Sequence, residues 1–132
     1  MERTAINPWQ WSVSMGFNQG EVVSGQSRTL FCSGQTSVDA EGAPQHAGDM
    51  AAQIALAADN LESVLEEAGM GLANLVRLNI YTTDVDAFFQ HYPRVLASRT
   101  AAAGVAPAGT LLGVARLAFP ELMVELEATA VA

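Results

Sequence analysis

Hydrophobic and polar positions alternate with two clear periods along this chain, and together they set out its elements. From Leu122 to Ala130, Val124, Leu126 and Ala128 alternate with Met123, Glu125, Glu127 and Thr129. This period of two predicts a strand with aliphatics on one face and both glutamates on the other. Val76, Leu78 and Ile80 alternate with Arg77, Asn79 and Tyr81 in the same way and predict a second strand. Between Met50 and Ala68 the period changes, because Ile54, Ala57, Leu61, Leu65 and Ala68 recur at helical spacing. Asp49 is placed to cap that helix, and Gly69 and Gly71 to stop it. A second helix carries Phe88, Phe89, Tyr92, Val95 and Leu96, capped by Asp84 or Asp86. Pro93 cannot donate a backbone hydrogen bond, so it either kinks this helix or restarts it.

Towards the N-terminus, extended runs over Val13–Val23 and Arg28–Ser33 flank the turn-prone Ser24-Gly25-Gln26-Ser27 and suggest a hairpin. The segment up to Trp11 reads as an irregular arm whose indoles, Trp9 and Trp11, pack onto the body. Near the C-terminus a short apolar run, Leu111–Val114, precedes a turn at Phe119-Pro120. Strands, helix, strand, helix and two strands give a two-layer α+β arrangement, a mixed sheet with both helices on one face. The other face is left bare, and association about a symmetry axis would cover it.

With 132 residues, half of them hydrophobic, the chain is expected to form one domain spanning 1–132. Only 15% of residues are charged, which fits burial of further surface between copies. The net charge is −8, and all six basic residues are arginines. Such a surface repels a phosphate backbone, so nucleic acid is not an expected partner. Without lysine there can be no Schiff-base catalysis and no covalent pyridoxal attachment, so any imine handled here must arrive preformed. Cys32 stands alone in an apolar run and is expected to be buried and inert. His46 and His91 form no metal-ligand pattern, so neither a metal nor a cofactor is expected. No apolar run is long enough to span a bilayer and the first residues do not resemble a signal peptide, so a cytoplasmic protein without membrane contact is expected.

The tail resembles the Rid family, the reactive intermediate deaminases or YjgF-type proteins. It carries Pro107-Ala108-Gly109-Thr110 against the family's Pro-Ala-Arg-Ser loop, then Val114-Ala115-Arg116-Leu117, then Val124-Glu125-Leu126-Glu127-Ala128. Ser33-Gly34-Gln35, Asn60-Leu61 and Tyr81-Thr82-Thr83-Asp84 extend the likeness over most of the chain. The resemblance implies a chorismate-mutase-like fold and a homotrimer with a small-molecule site in each inter-subunit cleft. It also implies hydrolysis of 2-imino or enamine acids to keto acids and ammonia. Glu125 then takes the water-activating position with Glu127 beside it. Phe17 stands where relatives often have tyrosine, and Thr110 replaces the loop serine. Ser33, the Gly34 backbone, Tyr92 and Leu111 are the remaining candidate contacts. A solvated strand face, or an ion pair with Arg116, is the alternative for the two glutamates.

Gly109 departs from the family, since the arginine that grips a substrate carboxylate is missing. Two charge-assisted hydrogen bonds are lost with it, each worth roughly 1.5–3 kcal/mol. A small 2-imino acid is therefore a poor substrate. The glycine is expected to widen an apolar pocket floored by Leu111 and Phe17, and whether Arg28 or Arg116, from this or a neighbouring subunit, substitutes for the missing cation stays open. Two readings stay open: a hydrolase of altered specificity, and a non-catalytic small-molecule-binding or regulatory trimer. The ribonuclease label attached to some members is opposed by the net charge and by the absence of a histidine pair.

Overall fold

A computed structural model describes all 132 residues. Its main sheet has four strands in the order β3–β6–β4–β5, where β3 is Thr29–Thr36, β4 Leu75–Thr82, β5 Leu111–Gly113 and β6 Val124–Val131. The last strand lies inside the sheet, antiparallel to both β3 and β4, while β5 runs parallel to β4. A parallel pair needs a crossover, which the second helical segment provides.

Alternation along β6 works as its sequence requires. Val124, Leu126, Ala128 and Ala130 are buried in the core, and Glu125, Glu127 and Thr129 lie half-buried on the opposite face. Helix α2, Met50–Glu67, closes the core with Ile54, Ala57, Leu61 and Leu65. The Asp49 carboxylate accepts from the Ala52 N–H at its start, and Gly69 at φ 71° turns the chain beyond its end. Arg28 donates to the Ala68 carbonyl at 2.9 Å and so completes the C-terminus.

Asp84, rather than Asp86, caps α3 (Val85–Tyr92), accepting from the Ala87 N–H at 3.0 Å. Pro93 opens a π-helical turn, Pro93–Ala97, that runs on into α4, Ser98–Ala102. The helix thus continues through a widened turn, which removes the need for a proline N–H. Arg99 on α4 pairs with Asp59 and Glu62 of α2 at 2.7 Å each, which ties the two helices together.

The N-terminal third departs from the expected hairpin. Residues 2–6 form strand β1, which pairs antiparallel with β2, Gly20–Ser24, in a separate two-stranded sheet. Val13 lies in a short helix, α1 (Trp11–Ser14), and Gly16 at φ 92° reverses the chain after it. β3 pairs instead with β6, and the Ser27 and Arg28 N–H groups both bond to the Ala132 carbonyl. Long-range pairing with the aliphatic β6 has overridden the local turn signal. In the single chain both indoles stay largely exposed, Trp9 62% and Trp11 57%, although Trp11 packs edge-on against Phe17.

Candidate active site

The β3–β6 ladder slips by one residue between Cys32 and Gln35, so Ser33 and Gly34 bulge opposite Glu127. At this bulge Gly34 is required for space. A Cβ there would lie 2.3 Å from Glu125 Oε1 and 2.6 Å from its Cδ. Glu125 therefore lies across the bare backbone of β3, and the Ser33-Gly34 pair is the platform beneath it.

Glu127 is held by neighbours on β4. Asn79 donates to its Oε1 at 2.9 Å and the Tyr81 hydroxyl at 3.0 Å. These two hydrogen bonds, with the nearby Arg77 charge, keep the Glu127 carboxyl below the usual carboxylate range. Glu125 moves the other way, raised first by burial and then by the negative charge on Glu127. Opposite shifts of two adjacent carboxyls are the pattern an acid/base pair uses, one group staying ionised while the other exchanges a proton. Their linkage signs are also opposite. Glu127 contributes stability that is present at neutral pH and lost as pH falls through its lowered pKa, whereas keeping Glu125 ionised carries a cost that acidification relieves.

Along the β5 edge, on the helix side of the sheet, is a cavity of about 190 Å³. Phe17, Tyr92, Gly109, Thr110 and Leu111, all candidates from sequence, line it. Leu78, Ile80, Phe88, Phe89 and Leu96 contribute apolar wall that sequence reading assigned only to the core or left unassigned. Phe88, Phe89 and Tyr92 form one aromatic cluster with centroids 5.4–6.4 Å apart. Opposite them Phe17 meets Trp11 edge-on at 5.8 Å. Burial raises the Tyr92 pKa, and its hydroxyl donates to the Met15 carbonyl.

Candidate residues thus divide into two groups. Glu125, Ser33 and Gly34 share the open sheet face, and none of them lines the cavity. The loop Pro107–Thr110 links the groups. Its Ala108 and Thr110 carbonyls accept from Leu78 and Ile80 N–H, and Asn79, which holds Glu127, also accepts from the Thr110 N–H at 3.2 Å. Asn79 and Tyr81 were not singled out from sequence, although their polar alternation with Leu78 and Ile80 was the signal available.

One expectation needs correction. Gly109 does not open space by lacking a side chain, because a Cβ on this backbone would lie 1.8 Å from the Leu78 carbonyl oxygen. The backbone of β4 at Leu78 occupies that position. Within one chain no cation reaches the cavity: none of its lining residues is charged, Arg28 is engaged at the end of α2, and Arg116 makes no ion pair with the glutamates.

This α+β fold, a mixed sheet with a few helices, matches that of the YjgF gene product from Escherichia coli, 27% identical over 87% of each chain with a TM-score of 0.69. A family model described as "Endoribonuclease L-PSP" matches residues 11–132, and the chain belongs to that family, the Rid/YjgF proteins. The Rid family protein YyfB from Yersinia pestis, itself of unknown function, is 35% identical over the full length of both chains, with a TM-score of 0.79. Escherichia coli TdcF with bound serine is 25% identical, with 97% of this chain and 91% of that one covered and a TM-score of 0.70. Among curated proteins, mmf2, a mitochondrial protein of Schizosaccharomyces pombe, is 37% identical over 89 residues, 67% of this chain and 66% of that one. The match spans half of the related mitochondrial protein mmf1. No helix here is long and apolar enough to cross a membrane.

Proposed function

We propose that this protein hydrolyses a preformed imine or enamine to a carbonyl compound and ammonia, with Glu125 as the group that handles water. The observation carrying this reading is the placement of Glu125 over Gly34, beside a Glu127 kept ionised by Asn79 and Tyr81. Glu125 takes a proton from water as the water oxygen adds to the carbon of the protonated imine, an enamine first taking a proton at carbon to become one. Glu125 then returns that proton to the carbinolamine nitrogen, and the C–N bond breaks as the hydroxyl proton passes to solvent, which leaves the carbonyl compound and ammonia. A general base is most effective when its pKa is drawn towards the working pH, and the raised pKa of Glu125 moves it in that direction. Phosphodiester cleavage, which the family's name suggests, fits less well, because a chain of charge −8 with two carboxylates on the candidate face repels phosphate.

Phe17, Ser33, Gly34, Tyr92, Gly109, Thr110 and Leu111 hold the substrate, which sits in the cavity and extends over the Pro107–Thr110 loop towards Glu125. The open face, where Phe31 is 79% exposed, is covered by two further copies in a homotrimer that closes the cleft. Sedimentation equilibrium is expected to report three chains per particle, and a monomer across the concentration range would remove this part of the reading.

The chemical test is ammonia release from a panel of enzymatically generated imines. Glu125→Gln is expected to lower turnover by about 10²–10⁴-fold. In the wild type, activity should fall as pH drops through a pKa above the ordinary glutamate value. In Glu127→Gln that limb should move to lower pH, because the neighbouring charge that raises Glu125 is gone. Equal turnover with and without the Glu125 carboxylate would remove Glu125 from the reaction, and no turnover by the wild type on any imine would leave the non-catalytic binder, which the uncharged cavity also suits.

A further inference from the structure

We infer that the portion of the ligand held by the cavity is a neutral, apolar group the size of one six-membered ring, carrying no carboxylate. This rests on the reading above that the cavity is the substrate site, and it names the class of substrate. Three observations lead to it.

The first is size. An apolar cavity of roughly 150 Å³ accommodates one benzene ring. At about 190 Å³ this one takes a ring with a short substituent, or a branched aliphatic group of similar bulk. The second is the character of the walls. Phe17 stands on one side and the Phe88, Phe89 and Tyr92 cluster on the other, and aromatic rings prefer offset or edge contacts with another ring or with aliphatic carbon. Exposed Met15, Phe89, Gly109 and Thr110 mark the mouth.

The third is charge. None of the lining residues is charged, and the Tyr92 hydroxyl already donates to the Met15 carbonyl. A carboxylate entering here would lose its water and meet no cation, which is strongly unfavourable. Thr110 makes no side-chain hydrogen bond within the chain and leaves one hydroxyl at the mouth for a polar substituent. The ligand is therefore apolar inside and polar only at the rim, where the loop faces the glutamates.

Binding measured by calorimetry, with indole, benzyl alcohol and benzoate as probes on the intact protein, tests this without requiring turnover. Benzyl alcohol and indole are expected to saturate one site per chain, and benzoate to bind at least about tenfold more weakly. Leu111→Trp, which fills the cavity from β5, should abolish ring binding, and Phe89→Ala, which removes a wall at the exposed rim, should weaken it. Benzoate binding as tightly as benzyl alcohol, no saturable binding of either neutral probe, or ring binding untouched in both variants would overturn the inference. Because Glu125 does not line the cavity, Glu125→Gln should bind the rings normally. Lost turnover with retained ring binding therefore supports both readings, whereas ring binding without any imine hydrolysis in the wild type sinks only the catalytic one.

Discussion

Gly109→Ala is expected to destabilise the protein by about 1–3 kcal/mol, the cost of forcing volume into packed surroundings. The added methyl would lie 1.8 Å from the Leu78 carbonyl oxygen and 2.8 Å from its carbon, both in the β4 backbone. Neither side can easily retreat, because Leu78 N–H bonds to the Ala108 carbonyl and Ile80 N–H to that of Thr110, on either side of the glycine. Relief therefore requires breaking hydrogen bonds that bring the chain into β5. Gly71→Ala is the control, as its Cβ would meet nothing within 4 Å. Scanning calorimetry should show Gly109→Ala melting roughly 3–12 °C lower, against a small change for Gly71→Ala. Equal melting of the two variants would mean that the loop does not approach β4 so closely. The same contact bears on specificity, since restoring the family's arginine here means moving the loop, and Gly109→Arg alone should not convert the protein to a 2-imino acid enzyme.

Gly34→Ala should do the opposite, sparing the fold and removing the chemistry. Its added carbon would strike the carboxyl end of Glu125, at 2.3 Å from Oε1, rather than backbone. A flexible side chain can rotate away, so the melting temperature should change little. Glu125 then no longer lies over the bulge, and turnover is expected to fall by about 10²-fold or more. Added to Glu125→Gln, the alanine should cause no further loss, which is the behaviour of two changes acting through one group. Carboxyl carbon NMR gives a readout independent of substrate, with the Glu125 pKa returning towards its ordinary value in Gly34→Ala. Full activity in that variant, or an unmoved Glu125 resonance, would separate the glycine from the carboxylate.

Much of the core was legible because its periods are unmixed. The aliphatic spacing in α2, the alternation in β4 and β6, and the caps at Asp49 and Asp84 each follow from a local rule that tertiary contacts did not override. The N-terminal strands were misread because pairing is a long-range choice. Ser24-Gly25-Gln26-Ser27 reads as a hairpin turn, yet β2 and β3 find partners at opposite ends of the chain. For the site, residue types were readable and their arrangement was not. Sequence put Glu125 and Glu127 on one face, but not that Asn79 and Tyr81 would hold only the second. Gly109 was read as an absent side chain, whereas in the fold it is a close approach of backbone to backbone.

Cys32, the chain's one thiol, lies on β3 directly before the bulge, opposite Ala128, and is 6% exposed. Burial also raises its pKa, so little reactive thiolate forms even where reagent can reach it. Alkylation must then wait until the core between α2 and the sheet opens, and the labelling rate becomes a native-state clock for the loosening of α2 and β3, the strand on which Glu125 rests.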